Sequence, residues 1–241
     1  MPKKTRSQTK PEIKSSAKLE RIPSGIPGLD KLIEGGFWKG STNLISGGAG
    51  VGKSIFCIQF LIEGLKRGEI CMFITLEQKP EDIIGDVARF GWDLEKYIKD
   101  KKLFLVYQDP FQLMDVTAPI LDEIKEHRVS RVAVDSTGVF GMYYKDPFEI
   151  RKQLFKLLAG LKSIGVTSVL TSELTEDSKI LSRFGVEEFI VDGLFTIRYN
   201  EYASGATPPL SLNVRKMRRT AHSRMSIPME ITSKGIVLKS K

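Results

Sequence analysis

The sequence predicts an α/β fold: a mostly parallel central sheet with helices on both faces, extended late in the chain by antiparallel hairpins. Three observations predict it. Short apolar runs alternate with segments of helical spacing between residues 41 and 171, the pattern of strand–helix–strand units in a parallel sheet. One of those runs enters a glycine-rich loop and leaves it as an apolar helix. Beyond about residue 190 the helical spacing gives way to "FIVDGLFTIRYN", "LSLNVRKM" and "MEITSKGIVLK", alternating short strands of the kind that form hairpins.

The elements follow in order. "IPSGIPGLDKLIEGGFWKG" reads as a turn, a short helix around Leu29–Ile33 and a glycine turn into the first core strand, "STNLIS". The run Ile55, Phe56, Ile58, Phe60, Leu61 is apolar enough for a buried helix. "ICMFIT" (70–75) is a buried strand, "EDIIGDVARF" after Pro80 a helix, and "LFLVY" (103–107) another strand. Ile120, Leu121 and Ile124 give the segment from Asp115 to His127 a helical period. "RVAVD" (131–135) is a short strand ending in an acid. Residues 147–164 form the clearest amphipathic helix, with Ile150, Leu154, Leu157, Leu158 and Leu161 on one stripe. "VTSVLT" (166–171) closes the alternating series.

The 241 residues suit one large domain with appendages, and no apolar run approaches the length of a membrane span. The start, "MPKKTRSQTK", has no apolar core of a secretory signal. Cys57 and Cys71 both sit in apolar runs without metal-ligand spacing, which predicts buried thiols in a cytoplasmic protein. The net charge of +8 is uneven: residues 1–20 hold six basic and two acidic residues, half of the excess. That segment is poor in apolar residues and is expected to be a disordered tail, either a solvated extension or a basic arm for nucleic acid. Residues 21–241 are expected to form the folded domain.

"SGGAGVGKSIF" carries the chemistry. Its G-x-x-x-x-G-K-[ST] pattern, from Gly47 to Ser54, is a phosphate cradle. Glycines let backbone N–H groups curl around an anion, and the helix that follows points its N-terminus at the phosphates. Gly48, Ala49, Gly50, Val51, Gly52, Lys53, Ser54 and Ile55 are the expected nucleotide-binding residues, Lys53 reaching the outer phosphates and Ser54 ligating Mg²⁺. The required strand–loop–helix context is present. The loop therefore predicts a bound nucleoside triphosphate. Asp135, delivered by an apolar strand, is the expected second Mg²⁺ residue. Glu77 follows "ICMFIT" at the sheet edge where ligands bind, and a carboxylate there can orient water and accept its proton. Gln78 beside it can orient water but is no useful base. A guanine-reading N-K-x-D motif is missing, since asparagine occurs only at Asn43, Asn200 and Asn213, so GTP specificity is not expected.

Two further stretches leave alternatives open. "VRKMRRTAHSR" gathers Arg215, Lys216, Arg218, Arg219, His222 and Arg224. It can be an electropositive surface strand, a nucleic-acid patch, or a pair of cationic fingers, Lys216 and Arg218, for a neighbouring subunit's triphosphate. "GVFGMYYKDPF" (138–148) interleaves aromatics and glycine as a loop that either stacks bases or packs against a neighbouring subunit.

The ordered series "SGIPGLDKLIEGG", "GGAGVGKS", "TLEQKPEDI", "FGWDLEKY", "VAVDS", "LTSE", "GVEEFIVDG" and "KMRRTAH…PMEIT…GIV" resembles the KaiC branch of the RecA-like ATPases, from about residue 21 to 238. The resemblance implies a RecA-like P-loop fold in a single KaiC-type domain, where KaiC itself has two, near the RadA paralogues. It implies ATP and Mg²⁺ as cofactors, Asp135 as the Walker B acid, and Glu77 as the first of a catalytic glutamate pair. It also implies Ser172 as a polar sensor near the γ-phosphate. Lys216, Arg218, Thr220 and His222 would contact nucleotide across a subunit boundary, with Lys216 and Arg218 aiding catalysis. That arrangement implies a ring homo-oligomer, a hexamer, as the chain's partner state. Three positions depart from the family: Gln78 replaces the second glutamate, Arg219 a glycine, and Ser233 an aspartate. Slow ATP hydrolysis with a regulatory or assembly role is therefore expected. The rivals are a DNA-dependent recombination accessory, using the tail and loops on DNA, and a nucleotide-binding regulator without turnover.

Overall fold

The computed structural model describes residues 20–109, 117–175, 179–199 and 209–239. The basic segment expected as a tail lies, up to residue 19, outside the described residues, as does the start of the helix expected from Asp115. In chain order the elements are β1 (Arg21–Ile22), α1 (Leu29–Leu32), β2 (Phe37–Trp38), β3 (Thr42–Gly47), α2 (Lys53–Lys66) and β4 (Cys71–Thr75). They continue with α3 (Pro80–Ala88), α4 (Leu94–Lys99), β5 (Leu103–Tyr107), α5 (Thr117–Glu126), β6 (Arg131–Asp135), α6 (Phe140–Tyr143) and α7 (Pro147–Ile164). The chain ends in β7 (Thr167–Glu173), α8 (Glu187–Ile190), β8 (Gly193–Tyr199), β9 (Leu210–Met217), β10 (Ser226–Thr232) and β11 (Gly235–Leu238).

Nine strands form one sheet in the order β11-β10-β9-β8-β3-β7-β6-β4-β5. From β8 to β5 every pairing is parallel, and β9, β10 and β11 add antiparallel strands at the β8 edge. The mostly parallel sheet with a late antiparallel edge is thus observed. β8 belongs to both regimes, parallel to β3 and antiparallel to β9.

Side-chain alternation divides the core between the two faces. Ile45, Phe73, Ala133, Val169 and Phe195 point to one face and pack with Phe56, Phe60 and Leu61 of α2 and with Ile83 and Val87 of α3. Their neighbours Leu44, Met72, Val132, Val134, Leu170 and Leu194 point to the other, under Ile120 and Ile124 of α5 and Leu154, Leu157 and Leu161 of α7. Both faces being covered explains why these strands read as continuous apolar runs. Buried Cys57 and Cys71 are free thiols in this core, and burial pushes the Cys71 thiol up to about 12.

Arg131 is fully buried under α2. Its guanidinium pairs with Glu69 at 2.7 and 3.0 Å, donates to the carbonyls of Pro23 and Phe60, and lies over the Phe60 ring. Gly64 makes room for it: a β-carbon there would lie 2.7 Å from Arg131 Cδ.

The aromatic stretch after β6 is helical rather than a loop. Residues Thr137–Val139 form a 3₁₀ turn capped by Ser136 and run on into α6. Phe140 is buried, and Tyr143 and Tyr144 pack on the α7-side core of the same chain. This corrects the reading of the stretch as a loop; Met142 and Phe148 within it remain exposed. A short helix, α4, capped by Asp93 accepting from the Lys96 N–H at 3.0 Å, sits where only a motif was read. Among the described residues no helix is long and apolar enough to cross a membrane.

Candidate nucleotide site

β3 ends at Gly47 and α2 begins at Lys53, so the glycine-rich loop spans the C-terminal edge of the parallel sheet. Gly50 and Gly52 have φ of 73° and 94°, a backbone region that glycine alone enters without strain. A side chain at Gly52 would also meet Ile231 at 2.9 Å. Val51 is buried and anchors the loop's middle. Gln59, nearly two turns into α2, donates to the carbonyls of Gly25 and Ile236 and accepts from the Ile236 N–H, tying α2 to β11.

Lys53 turns back over the loop, donating to the carbonyls of Gly48 at 2.7 Å and Gly47 at 3.1 Å. Burial pulls its ammonium below the ordinary lysine range, opposed by the carboxylates of Asp135, Glu173 and Glu77. The first turn of α2 contains no acid. An anion placed there would restore the lysine's preference for its charge.

The acids arrive by strand parity. Asp135 shares the α2 face with Ala133, so it points at the N-terminus of α2. Ser54 Oγ donates to Asp135 Oδ2 at 2.5 Å, and Thr171 donates to the other carboxylate oxygen. Ser54 and Asp135 offer oxygen ligands side by side, the donor type Mg²⁺ prefers. Among the described residues no group of three or more His, Cys, Asp or Glu gathers as a metal site.

Glu77 is set by the turn after β4. Thr75 Oγ accepts from the Gln78 N–H at 3.0 Å and donates to the Gln78 carbonyl at 2.7 Å. Ser136 Oγ donates to Glu77 Oε1 at 2.7 Å. Consecutive residues at the end of β6 thus hold the two expected functional groups: Asp135 faces Ser54, and Ser136 holds Glu77. Gln78 lines an adjoining cleft of about 260 Å³ with Ser54, Ile55 and Arg89.

Ser172 differs from its expected place. Val169 and Thr171 face α2, so Ser172 faces away; it is buried, donating to Glu187 at 3.1 Å and accepting from the Arg183 N–H at 2.9 Å. Thr171 is the hydroxyl that reaches Asp135, and "LTSE" alone does not say which hydroxyl faces the loop without the face of β7. The same parity turns Glu173 toward the loop side, where it pairs with Arg183. Sequence reading passed over both.

Lys216 and Arg218 lie at the opposite end of the sheet. Lys216 pairs with Leu194 and Met217 with Gly193, at the start of β8, whereas Gly47 is level with Ile197 at its far end. Three residues of strand separate Lys216 from the level of the loop and four separate Met217, about 10 and about 13 Å. Both cations converge on α8: Lys216 Nζ donates to the Glu188 carbonyl at 2.8 Å and Arg218 to the Phe189 carbonyl at 3.2 Å. Arg218 and Lys162 flank Asp192. Burial pushes the Asp192 carboxyl up, but hydrogen bonds from Lys162 and Thr42 outweigh it and hold it below the ordinary range. Burial, reinforced by Arg218, lowers Lys216. Thr220 Oγ accepts from Arg21 and Trp38, and His222 Nδ1 lies 3.0 Å from the Ser223 carbonyl. Within one chain, then, the fold brings Lys53, Ser54, Asp135 and Glu77 together and keeps Lys216, Arg218, Thr220 and His222 apart from them.

Comparison with known proteins gives a consistent result. The family model described as "ATPase: KaiC" matches residues 22–241. The circadian clock oscillator protein KaiC of Prochlorococcus marinus is 35% identical over 231 residues, covering 91% of this chain and 45% of its own length. That of Acaryochloris marina is 34% identical over 247 residues, covering 98% and 47%. The chain spans about half the length of these curated relatives. The crystal structure of a KaiC-like protein from the archaeon Pyrococcus horikoshii OT3 superimposes with a TM-score of 0.82 at 37% identity, covering 92% of this chain and all of that one.

Proposed function

Because the chain belongs to the KaiC family of ATPases, an ATP-binding branch of the RecA superfamily, we propose that it binds Mg²⁺·ATP at the Gly47–Ile55 loop and hydrolyses it slowly. The working form is a ring, a hexamer, with nucleotide at each subunit boundary, and nucleotide state sets assembly or partner binding. The observation that carries the chemical part is the pair of contacts from consecutive residues, Ser54–Asp135 at 2.5 Å and Ser136–Glu77 at 2.7 Å.

In this reading the loop amides and Lys53 bind the phosphates, Ser54 and Asp135 hold Mg²⁺, and Glu77 orients water and takes its proton. Ser136 fixes the Glu77 carboxylate, so little reorganisation is needed at the moment of attack. Held by Ser54 and Asp135 together with the triphosphate, Mg²⁺ would neutralise phosphate charge during the transfer. Turnover is slow because Gln78 stands where a second acid would share the proton transfer, and an amide cannot accept a proton usefully. Lys216 and Arg218, remote from their own loop, serve the neighbour's triphosphate, and Thr220 and His222 contact the same nucleotide. The buried cysteines suit a cytoplasmic protein. The regulator without turnover is favoured by Gln78 alone. The DNA reading rests on the basic segment and the loops after Asp135 and Ser172, and is weakened by Phe140 being buried in the chain's own core.

ATP turnover with and without single-stranded DNA, measured alongside solution mass, tests the proposal. It predicts slow, Mg²⁺-dependent and DNA-independent release of phosphate from an oligomer. A monomer that turns ATP over at the same rate per chain would overturn the shared-site reading.

A further inference from the structure

Glu173 and Arg183 form an ion pair that the proposed chemistry leaves without a task. Glu173 is the last residue of β7 and is level with Gly47, the last residue before the loop; the next N–H, from Leu174, donates to the Gly47 carbonyl at 3.0 Å. Its parity turns it to the loop face, and its charge is felt at Lys53. Arg183 returns to the same place from the segment before α8. Its main chain is anchored, the N–H donating to Ser172 Oγ, which in turn donates to Glu187. Its guanidinium closes directly on the Glu173 carboxylate, and both side chains are about half exposed, 47% and 40%.

The pair borders a cleft of about 530 Å³ that also includes Ala49 and Lys53 of the loop. It faces the water-positioning side too. A β-carbon at Gly138 would lie 3.0 Å from Ser136 Oγ, 3.3 Å from Glu173 Oε2 and 3.5 Å from Arg183 Cδ. Ser136 is the residue that holds Glu77. Three carboxylates, Asp135, Glu77 and Glu173, therefore surround the place where the outermost phosphate goes, against two cations, Lys53 and Arg183. Asp135 and Glu77 have uses there, but a third carboxylate repels an incoming phosphate unless it is neutralised.

We propose that Arg183 is a γ-phosphate-binding residue supplied in cis, which Glu173 holds aside until a third phosphate competes for it, so that the pair sets the preference for triphosphate over diphosphate. This rests on the phosphate-loop reading above. A terminal phosphate carries more negative charge than a carboxylate and matches the guanidinium fork equally well. The exchange needs only side-chain rotation, because the backbone at Arg183 is tied down. A diphosphate leaves the Glu173–Arg183 pair closed and gains nothing from Arg183.

The test titrates the full chain, with Mg²⁺, against fluorescent ADP and a fluorescent non-hydrolysable ATP analogue. Arg183→Ala is expected to weaken triphosphate binding about tenfold or more, the scale of one hydrogen bond to a charged group, with ADP affinity within about twofold. Arg183→Lys, which keeps the charge without the fork, should fall between. Glu173→Gln removes the competitor and should tighten triphosphate binding while leaving ADP unchanged. Equal losses for both nucleotides in Arg183→Ala, or weaker triphosphate binding in Glu173→Gln, would show the pair to be a structural strut and overturn the proposal. A wild-type chain that binds neither nucleotide would instead overturn the phosphate-loop reading, and this proposal with it.

Discussion

Replacing Lys53 by alanine exposes the energetics of the loop most simply. In the free chain the ammonium is held by the Gly48 and Gly47 carbonyls at 2.7 and 3.1 Å and is partly stripped of water, which lowers its pKa. Binding a triphosphate replaces those neutral acceptors with charged oxygens. Contacts to neutral and charged partners are worth about 1 and about 1.5–3 kcal/mol respectively. Wild type gains only the difference on binding, because the alanine variant has lost the neutral contacts of the free chain as well as the charged contact at the phosphate. The expected loss in ATP affinity is therefore about 0.5–2 kcal/mol, roughly 2- to 30-fold. The fold should persist, since Lys53 reaches only loop carbonyls. The sign with pH follows from the same facts. Free Lys53 titrates below the ordinary lysine range, and phosphate pulls it back up, so binding takes up a proton between those two values. Wild-type affinity should decline as pH rises through the lowered pKa, and the Lys53→Ala variant should lack that alkaline limb. Titration with a fluorescent ATP analogue across pH measures both. Unchanged affinity in a folded variant, or an alkaline limb that survives the substitution, would refute this reasoning.

Three other expectations concern different parts of the chain. Glu77→Gln should bind ATP normally and cut hydrolysis by about 10²–10⁴-fold, read as phosphate release, while Gln78→Glu should raise it; normal turnover in Glu77→Gln would place the base elsewhere. Arg131→Ala leaves Glu69 without its buried partner and opens a hole beside Phe60, so about 3–5 kcal/mol of stability should be lost, seen as a clear drop in chemical denaturation midpoint. Deleting residues 1–19 should leave ATP binding intact, and any DNA association should become weaker and less salt-sensitive; equal DNA affinity with and without them would dismiss the basic-arm reading.

Much of this architecture is legible in the sequence because the parallel strands are buried on both faces. "RVAVD" and residues 147–164 match β6 and α7 residue for residue. The loop is legible because its backbone geometry demands glycine where glycine stands. What escapes is whatever depends on which face a strand turns to its neighbours. Thr171, Ser172 and Glu173 are adjacent polar residues, and only the placement of β7 between β3 and β6 decides that the first and third look toward the loop. Arg183 lies ten residues beyond its partner, so no spacing rule joins them. The aromatics after Ser136 read as an open loop because tyrosine and glycine are poor helix formers, yet packing on α7 outweighs that preference. The two ends of β8 are also not visible: that Lys216 lies three residues of strand, about 10 Å, from the level of its own loop follows from the β8–β9 register, which a sequence does not print.

That separation makes the shared site the central claim, and mixing two inactive variants tests it most directly. Lys216→Ala/Arg218→Ala keeps an intact Glu77, and Glu77→Gln keeps intact cations. Neither alone should turn ATP over appreciably, because cations supplied in trans are worth about 10³–10⁵ in rate in other phosphate-loop enzymes. Mixed rings contain boundaries where a good Glu77 meets a neighbour's good Lys216 and Arg218, so phosphate release should partly recover on mixing. If subunits are shown to exchange and activity stays at the level of the separate variants, Lys216 and Arg218 do not act across a subunit boundary.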